Sequence, residues 1–247
     1  MDMNTKVWAH RGSRTKAPEN TLEAFSVAIA EHSDGIELDV HLTADGEIVV
    51  AHDETVDRVS NGSGLIVSKT LSQLRELDFS KGFPSHSPAR IPTLREVYDL
   101  VKPTNLFINV EIKSGIVLYE GIEQKLLKLS EEMGMKERII YSSFNHFSLM
   151  ILRQADPSAK IGLLYNEALV DPFIYAKHLN ADAVHPFYPT LSGPGVIEGC
   201  KKYGIKIHPW TVNDPDSMRR LIAAGVDALI TDVPDTALKI VEEVSRQ

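Results

Sequence analysis

Three short clusters of carboxylate, imidazole and basic side chains could do chemistry in this sequence. They are His10-Arg11-Gly12, Glu37-Leu38-Asp39 with His52-Asp53, and Glu111-Ile112-Lys113. Each lies at or just after a short apolar run that is typical of a β-strand. Three carboxylates can bind a metal ion, two imidazoles can transfer protons and two cations can bind a phosphate. Together these are the groups that hydrolysis of a phosphodiester needs.

The carboxylates predict a cation site. Side chains alternate along a strand, so Glu37 and Asp39 share a face, as do Glu111 and Lys113. Charges inside a sheet are costly unless they are paired or bound to a metal ion. A salt bridge between Glu111 and Lys113 is one interpretation, but three acids against one lysine leave an excess of negative charge. Oxygen ligands without a nearby cysteine favour a hard ion, namely Mg²⁺, Ca²⁺ or Mn²⁺ rather than zinc.

The position of His52 depends on the turn at Asp45-Gly46, a dipeptide that favours a β-hairpin. A two-residue turn would pair His52 with Asp39, and a four-residue turn would pair it with Glu37. Directly opposed residues have Cβ atoms roughly 5 Å apart, so either register places the imidazole beside a carboxylate. A histidine at that level is well placed for acid–base catalysis.

The positions of four further side chains, His10, Trp210, His185 and His208, also indicate their roles. His10 ends the first strand, where barrel enzymes carry reactive groups, and it is followed by the phosphate-binding candidate Arg11. A lone histidine is more often structural, but the second histidine near carboxylates favours a catalytic role for His10. Trp210, just past a later strand, could stack on a ligand or pack under a loop, and both interpretations stay open. His185 and His208, near other strand ends, favour packing roles.

Short β-branched runs alternate with longer amphipathic stretches along the chain. The predicted strands are Thr5–Ala9, Gly35–Leu42, Leu106–Ile112, Arg138–Tyr141, Lys160–Leu164, Ala181–His185, Ile205–His208 and Asp227–Thr231. The predicted helices are Thr21–Glu31, Val117–Met133, Phe147–Ala155, Asp171–Leu179, Gly195–Tyr203, Pro215–Ala224 and Pro234–Val244. Eight strands separated by helices predict an α/β protein with a closed TIM (β/α)₈ barrel. The rival, an open doubly wound sheet, usually has a G-x-G-x-x-G turn, and this sequence has none.

Residues 53 to about 92 interrupt the alternation after the second strand. This segment is rich in Ser, Gly and Pro and contains one predicted short helix, Leu71–Leu77. A loop of this length is usually functional, so we interpret it as a small insertion that helps to cover the barrel mouth. No change of composition calls for a second domain, and we expect one TIM-barrel domain over residues 1–247.

Composition excludes several classes of function. With 247 residues and a formal net charge of −8, the chain has no basic run that would neutralise a nucleic-acid backbone. No apolar run approaches the ~20 residues of a membrane span. A single cysteine excludes an intrachain disulfide, and the N-terminus shows no signal peptide. A cytoplasmic location is therefore expected, although a trimmed form of a secreted protein would look the same.

The whole set of motifs resembles one family. The matching stretches are His10-Arg11-Gly12 through Thr21, Glu37-Leu38-Asp39-Val40, His52-Asp53, Asp57-Arg58 to Gly64, Ile91-Pro92-Thr93-Leu94, Glu111-Ile112-Lys113, Trp210-Thr211-Val212-Asn213 and Gly225-Val226-Asp227 through Thr231-Asp232. In this order, and over nearly the whole chain, they resemble the glycerophosphodiester phosphodiesterases.

The resemblance implies a TIM barrel that hydrolyses small-molecule glycerophosphodiesters to sn-glycerol 3-phosphate and an alcohol. It implies that one divalent cation, Mg²⁺ or Ca²⁺, is held by Glu37, Asp39 and Glu111. Carried over in the same way, His10 and His52 form the acid–base pair, Arg11 and Lys113 bind the phosphate, and Trp210 lines the glycerol side. The sequence leaves open the head group, the metal, the oligomeric state, which histidine is the base, and whether water or the glycerol 2-hydroxyl attacks.

Three other functions would use part of this set of residues. A phospholipase D-like enzyme acting on lysophospholipids would want an apolar rim or basic patch, and the insertion offers only Phe79 and Phe83. A barrel glycosidase would use paired carboxylates but would not need two histidines and a phosphate-binding pair. A barrel that merely binds phosphorylated ligands should lack one of the acids or histidines, and this chain has all five.

Overall fold

The computed structural model describes residues 5–246, so the part of the signal-peptide prediction that falls on residues 1–4 lies outside the described residues. Within that range the strands are β1 Lys6–His10, β2 Gly35–Leu42, β3 Ile48–Val50, β4 Phe107–Ile112, β5 Ile139–Ser143, β6 Lys160–Tyr165, β7 Ala183–Pro186, β8 Lys206–Ile207 and β9 Ala228–Thr231. The helices are α1 Leu22–Ala30, α2 Leu71–Arg75, α3 Leu94–Val101, α4 Ile122–Glu132, α5 His146–Ala155, α6 Pro172–His178, α7 Val196–Tyr203, α8 Pro215–Ala223 and α9 Pro234–Ser245.

Eight parallel strands form a barrel, as predicted. Their order around the sheet is β8-β7-β6-β5-β4-β2-β1-β9, and each neighbouring pair is joined by a parallel ladder. Between β8 and β9, backbone hydrogen bonds from Asp227 to Ile207 and from Ile230 to Pro209, each 3.0 Å long, span the remaining gap. The predicted strands match the observed ones within two residues at each end.

The strands are buried on both faces, but the two faces differ in chemistry. In β2 every residue is buried, and Ile36, Leu38 and Val40 join the hydrophobic cluster that the surrounding helices complete. The alternate residues, Glu37 and Asp39, therefore point into the barrel. An apolar outer layer thus fixes the strands in place and aims the polar positions at the interior.

The hairpin after β2 differs from both registers proposed from the sequence. Strand β3 pairs antiparallel with β2, with Val40 opposite Val50 and Leu42 opposite Ile48. The turn has three residues because Thr43 pairs with Glu47 through a 3.0 Å backbone bond, and Gly46 adopts a left-handed φ of 79°. Continued along the chain, this register sets Ala51 rather than His52 opposite Asp39. The prediction that His52 pairs directly with Asp39 or Glu37 was therefore wrong.

Helix α3 was not predicted. Its start is a capping box, in which the Thr93 side chain accepts from the Glu96 amide and the Glu96 carboxylate accepts from the Thr93 amide. Its buried face carries Leu94, Val97, Tyr98 and Val101, which pack on the barrel. Helix α3 therefore packs beside α1 and β3 on the outside of the barrel. The predicted start of the next helix at Val117 was also wrong, since α4 begins at Ile122.

Residues 53–92 form a compact insertion with a small core of its own. Val56, Ile66, Leu74, Phe79 and Ile91 pack together with residues of β3. The predicted helix is present as the shorter α2. The division of residues 1–247 into one domain stays a prediction. Over residues 5–246, the helices are all too short or too polar to cross a bilayer.

Candidate active site

The barrel register brings three carboxylates together at the carboxyl ends of β2 and β4. Parallel pairing sets His10 level with Glu37, and Asp39 level with Glu111. One oxygen atom from each of Glu37, Asp39 and Glu111 lies within 4.8 Å of the others. All three residues are buried. The predicted metal-binding side chains therefore form one cluster inside the barrel.

The electrostatics of this cluster fit a cation. Burial, followed by the charges of Asp39 and Glu111, raises the pKa of Glu37 well above its ordinary value. Burial also raises the pKa of Glu111. Burial opposes ionisation of Asp39 as well, but the charges of Lys113 and Arg11 lower the pKa of Asp39 below its ordinary range. Proximity of like charges thus costs free energy that a divalent cation would offset.

One oxygen of the cluster gives an independent test of that fit. Asp39 Oδ1 is buried and accepts no hydrogen bond from the described residues. The nearest cation is Lys113 Nζ, which lies 3.5 Å away and donates to Glu111 Oε1 at 2.7 Å. Buried oxygen atoms without donors are rare in folded proteins, and metal coordination is one reason for them. The three oxygen donors, with no sulfur among them, fit a hard divalent cation.

Two cations adjoin the cluster. Lys113 follows β4 on the same face as Glu111, and burial would lower the pKa of Lys113, but the charges of Asp39 and Glu111 raise it. Arg11 Nε lies 3.5 Å from Asp39 Oδ2. The backbone of Arg11 has a left-handed φ of 57°, and its amide donates to Glu37 Oε2 at 3.0 Å. Holding a non-glycine residue in that conformation costs about 1–3 kcal/mol. Residues held in such conformations cluster at functional sites.

Both predicted histidines face the cluster and both are anchored by an aspartate. His10 Nδ1 lies 2.7 Å from Asp232 Oδ1, and His52 Nδ1 lies 2.6 Å from Asp53 Oδ1. Burial, the largest effect, lowers the pKa of His10 despite the bond to Asp232. Burial thus favours the neutral imidazole of His10, the form that can accept a proton.

These side chains line a cavity of about 140 Å³, which we call the carboxyl-end pocket. Its lining includes His10, Arg11, Glu37, His52, Glu111, Lys113, Phe144, Leu164 and Trp210. Of the predicted site residues only Asp39 is absent from this lining, because it is fully buried beneath it. The insertion contributes none of the pocket's described lining, although its Asp53 and Arg58 hold His52 and Glu19 beside the pocket. That it helps to cover the mouth stays a prediction.

Trp210 forms the apolar wall of the carboxyl-end pocket. Its ring lies 5.6 Å from the ring of Phe144 and 5.8 Å from that of Phe187. Its indole nitrogen donates to the His185 carbonyl at 2.8 Å, which fixes the ring orientation. His185 itself bonds to His208 at 3.0 Å inside the barrel, and both are buried, as the packing interpretation predicts.

A larger cavity of about 890 Å³ opens at the opposite end of the barrel, and we call it the amino-end cavity. Lys6, Phe107, Lys160 and Lys206, each the first residue of its strand, are among its lining residues. The amino-end cavity contains none of the carboxylates of the cluster. Size alone would favour it, but the convergent titratable groups make the carboxyl-end pocket the candidate active site.

Several supporting residues received no role from the sequence. Asn20 donates to Asp39 Oδ2 at 2.9 Å. Glu19 accepts from Arg11 and from Arg58 of the insertion. Asp53 directly follows His52, and that adjacency was a usable signal. Asp232 lies just beyond β9 at the carboxyl end of the barrel. A polar residue there is a candidate site residue by its position alone.

Comparison with known proteins agrees with this geometry. The profile of the Glycerophosphoryl diester phosphodiesterase family matches residues 10–236. A glycerophosphodiester phosphodiesterase of Caldanaerobacter subterraneus subsp. tengcongensis is 49% identical over 242 residues, covering 98% of this chain and 99% of that protein. A glycerophosphodiester phosphodiesterase of Bacillus altitudinis is 37% identical, covering 97% and 99% of the two chains.

Solved structures show the same fold. A phosphodiesterase of Oleispira antarctica, solved in complex with the product sn-glycerol-3-phosphate, superposes with a TM-score of 0.85 at 28% identity, covering 96% of each chain. A glycerophosphodiester phosphodiesterase of Agrobacterium tumefaciens superposes with a TM-score of 0.83 at 28% identity, covering 95% of this chain and 99% of that one.

Proposed function

This chain belongs to the glycerophosphodiester phosphodiesterase family and is a phosphoric diester hydrolase, and from that premise we propose that it cleaves glycerophosphodiesters to sn-glycerol 3-phosphate and an alcohol. The observation that carries the proposal is the meeting of Glu37, Asp39 and Glu111 within 4.8 Å of one another, beside two anchored imidazoles. The product bound by the Oleispira antarctica relative supports the same substrate class.

Glu37, Asp39 and Glu111 would hold one divalent cation, Mg²⁺ or Ca²⁺. When bound, such an ion supplies positive charge that neutralises the non-bridging oxygens of the phosphate. Their pKa shifts and the unpaired Asp39 Oδ1 support this assignment. Arg11 and Lys113 would bind the phosphate from the side. Arg11 is suited to two parallel hydrogen bonds and Lys113 to a point charge.

The two histidines would move the protons. The Nε2 atom of one histidine takes the proton of the attacking hydroxyl as the hydroxyl oxygen forms its bond to phosphorus. The other Nε2 atom, initially protonated, gives its proton to the alkoxide as the bond from phosphorus to the leaving oxygen breaks. An alkoxide is a poor leaving group, so this second transfer is needed. Trp210 and Phe144 would contact the carbon atoms of the glycerol moiety and exclude water from that side.

The experiment is a release assay for glycerol 3-phosphate. The purified protein is incubated with glycerophosphocholine, glycerophosphoethanolamine, glycerophosphoinositol and a lysophospholipid, in chelator and with Mg²⁺, Ca²⁺ or Mn²⁺ added back. We expect release from the water-soluble diesters, loss of release in chelator and recovery with at least one ion. Full activity in chelator would contradict the metal assignment, and activity restricted to the lysophospholipid would contradict the substrate class.

A further inference from the structure

Asp232 lies behind His10, on the side of the imidazole ring that faces away from the carboxylate cluster. Its Oδ1 atom is 2.7 Å from His10 Nδ1, whereas His10 Nε2 is 3.9 Å from Glu37 Oε2. The two ring nitrogens therefore face different groups. One nitrogen is anchored to a carboxylate, and the other is turned toward the site of reaction.

Asp232 is itself held by Asn213. Asn213 Nδ2 donates to Asp232 Oδ2 at 2.8 Å, while Asn213 Oδ1 accepts from the Asp232 amide at 2.9 Å and from the Thr231 hydroxyl at 3.1 Å. Because Asn213 uses both ends of its amide, it has one orientation, with its donor on Asp232. The second carboxylate oxygen, Oδ1, lies 2.7 Å from His10 Nδ1 and can accept from it, and Arg14 Nη1 lies 3.6 Å from the same oxygen.

We propose that Asp232, held in place by Asn213, is a positioning residue that keeps the His10 proton on Nδ1 and leaves Nε2 to exchange protons with the substrate. This inference rests on the proposed function, since it takes His10 as a proton-transfer residue. The proton stays on Nδ1 throughout the reaction, and only Nε2 gains or loses one. His52 has the same arrangement with Asp53, so both imidazoles present Nε2 to the pocket.

The physical reason is the choice between two tautomers. A neutral imidazole carries one proton, on Nδ1 or on Nε2, and only the Nδ1–H form can accept a proton at Nε2. A carboxylate at Nδ1 stabilises that form and also stabilises the imidazolium that forms during transfer. An aspartate behind the histidine of a Ser-His-Asp triad acts in the same way, where Asp→Asn lowers kcat by about 10⁴.

The geometry around Asn213 makes the test specific. In Asp232→Asn, the Asn213 donor would retain the new carbonyl oxygen, so the new NH₂ group would face His10 Nδ1 and favour the Nε2–H tautomer. In the exchange D232N with N213D, the new carboxylate at position 213 would accept from that NH₂ group. The carbonyl oxygen at position 232 would then face His10, and the Nδ1–H tautomer should return.

The test is to measure kcat and KM on glycerophosphocholine with metal added. The His10 tautomer is determined in parallel from the ¹⁵N chemical shifts of labelled histidine. D232N is expected to lower kcat by between ~10-fold and ~10⁴-fold with little change in KM, and to move the His10 proton to Nε2. The exchange variant should restore the tautomer and part of kcat. Asp235→Asn is the matched control, because Asp235 lies three residues away in α9 and binds Lys16 outside the pocket.

Each outcome is decisive. An unchanged kcat in D232N, a His10 tautomer in D232N that stays Nδ1–H, or a tautomer in the exchange variant that stays Nε2–H would each overturn the proposal. His10→Ala separates this failure from failure of the proposed function, because normal turnover in H10A would remove the acid–base assignment itself. If D232N does not fold, Asn213→Ala takes its place with an expected kcat loss of about 10-fold at constant KM, and parental kcat there would overturn the inference.

Discussion

Glu19 joins arginines from separate segments of the chain. Its carboxylate lies 2.9 Å from Arg11, 2.9 Å from Arg14 and 2.7 Å from Arg58 of the insertion. Burial opposes its ionisation, but the bond to Arg58 and the charges of the arginines lower the pKa of Glu19 to about 2. Arg58 also bonds to Asp53, which anchors His52. Through Glu19, Arg11, which we propose binds the phosphate, and Asp53, which holds His52, share one network.

The lowered pKa makes Glu19 a pH-dependent source of stability. A folded-state pKa of about 2 against an ordinary value of 4.5 corresponds to roughly 3 kcal/mol. Because the pKa is depressed, this contribution is full above about pH 4.5 and is lost as pH falls toward about 2. Glu19→Gln should therefore lower the free energy of unfolding by about 1–3 kcal/mol near pH 7, with a smaller difference at about pH 3.5.

Urea unfolding of the parent and of E19Q at a series of pH values checks this. The mostly exposed Glu137 provides the control variant, Glu137→Gln, for which no such pH-dependent difference is expected. A difference between parent and E19Q that stays constant from neutral to acid pH would contradict the assignment to the Glu19 carboxylate.

The carboxylate cluster predicts opposite effects with and without metal. Burial and the charges of Asp39 and Glu111 oppose the ionised form of Glu37, so Glu37→Gln should raise the melting temperature in chelator. The glutamine oxygen can still accept from the Arg11 amide. The same change removes a proposed metal ligand, so the stabilisation by added ion, about 2.7 kcal/mol at ~100 times Kd, should largely disappear.

Thermal unfolding of parent and E37Q, each with chelator and with Mg²⁺ or Ca²⁺, measures both effects. A lower melting temperature of E37Q in chelator would show that like-charge repulsion is not the dominant effect at this position. Retention of the full metal-induced shift would show that Glu37 is not a ligand.

At the scale of elements, helix α3 depends on its N-terminal capping box. Thr93 Oγ1 accepts from the Glu96 amide at 3.3 Å and donates to the Glu96 carboxylate at 2.8 Å. Loss of such a cap costs about 1 kcal/mol. Thr93→Ala should therefore lower the free energy of unfolding by about that amount, measured by urea titration.

A threonine without a capping role is the control for that experiment. Thr236 lies inside α9, where alanine favours the helix, so Thr236→Ala should change stability by less than about 0.5 kcal/mol. Equal effects of T93A and T236A would mean that the capping box adds nothing to stability. A loss of activity in T93A at constant stability would instead point to coupling between α3 and β4.

The hairpin shows what an element contributes to the site. The three-residue turn gives β3 a register in which Ala51 faces Asp39, and His52 then leaves the ladder and turns into the pocket. Thr43 selects this turn, since its hydroxyl donates to Asp45 at 2.6 Å and accepts from the Glu47 amide at 2.9 Å. His52 therefore reaches the cluster from beyond the strand, where Asp53 can hold its Nδ1 atom.

At the scale of the whole molecule, the barrel has cavities at both ends, and the lining of each includes at least one lysine. Lys113 lies in the carboxyl-end pocket against Glu111 and Asp39, whereas Lys206 lines the amino-end cavity. Lys113→Met should lower kcat/KM by about 10²–10³-fold, because a charge near the phosphate is lost. Lys206→Met should leave kcat/KM unchanged. A loss of kcat/KM in Lys206→Met with none in Lys113→Met would mean that the reaction takes place in the amino-end cavity.

The sequence alone predicts the barrel and the types of groups in its site. Runs such as Gly35–Leu42 carry aliphatic residues at the outward positions, and that pattern depends only on the alternation of a strand. The ends of these runs locate His10, Glu37, Asp39 and Glu111 where parallel barrels carry their chemistry. These positions follow from local structure, which nearby residues determine.

Tertiary structure decided which of these groups meet and how they are oriented. His10 and Asp232 are 222 residues apart, and no local pattern pairs them. The ladder register sets Asp39 level with Glu111, and the turn at Thr43 determines where β3 ends. Such contacts depend on the register of each strand pair around the whole barrel. The sequence by itself therefore determined which chemistry is available, and only the folded barrel decided the direction of each imidazole.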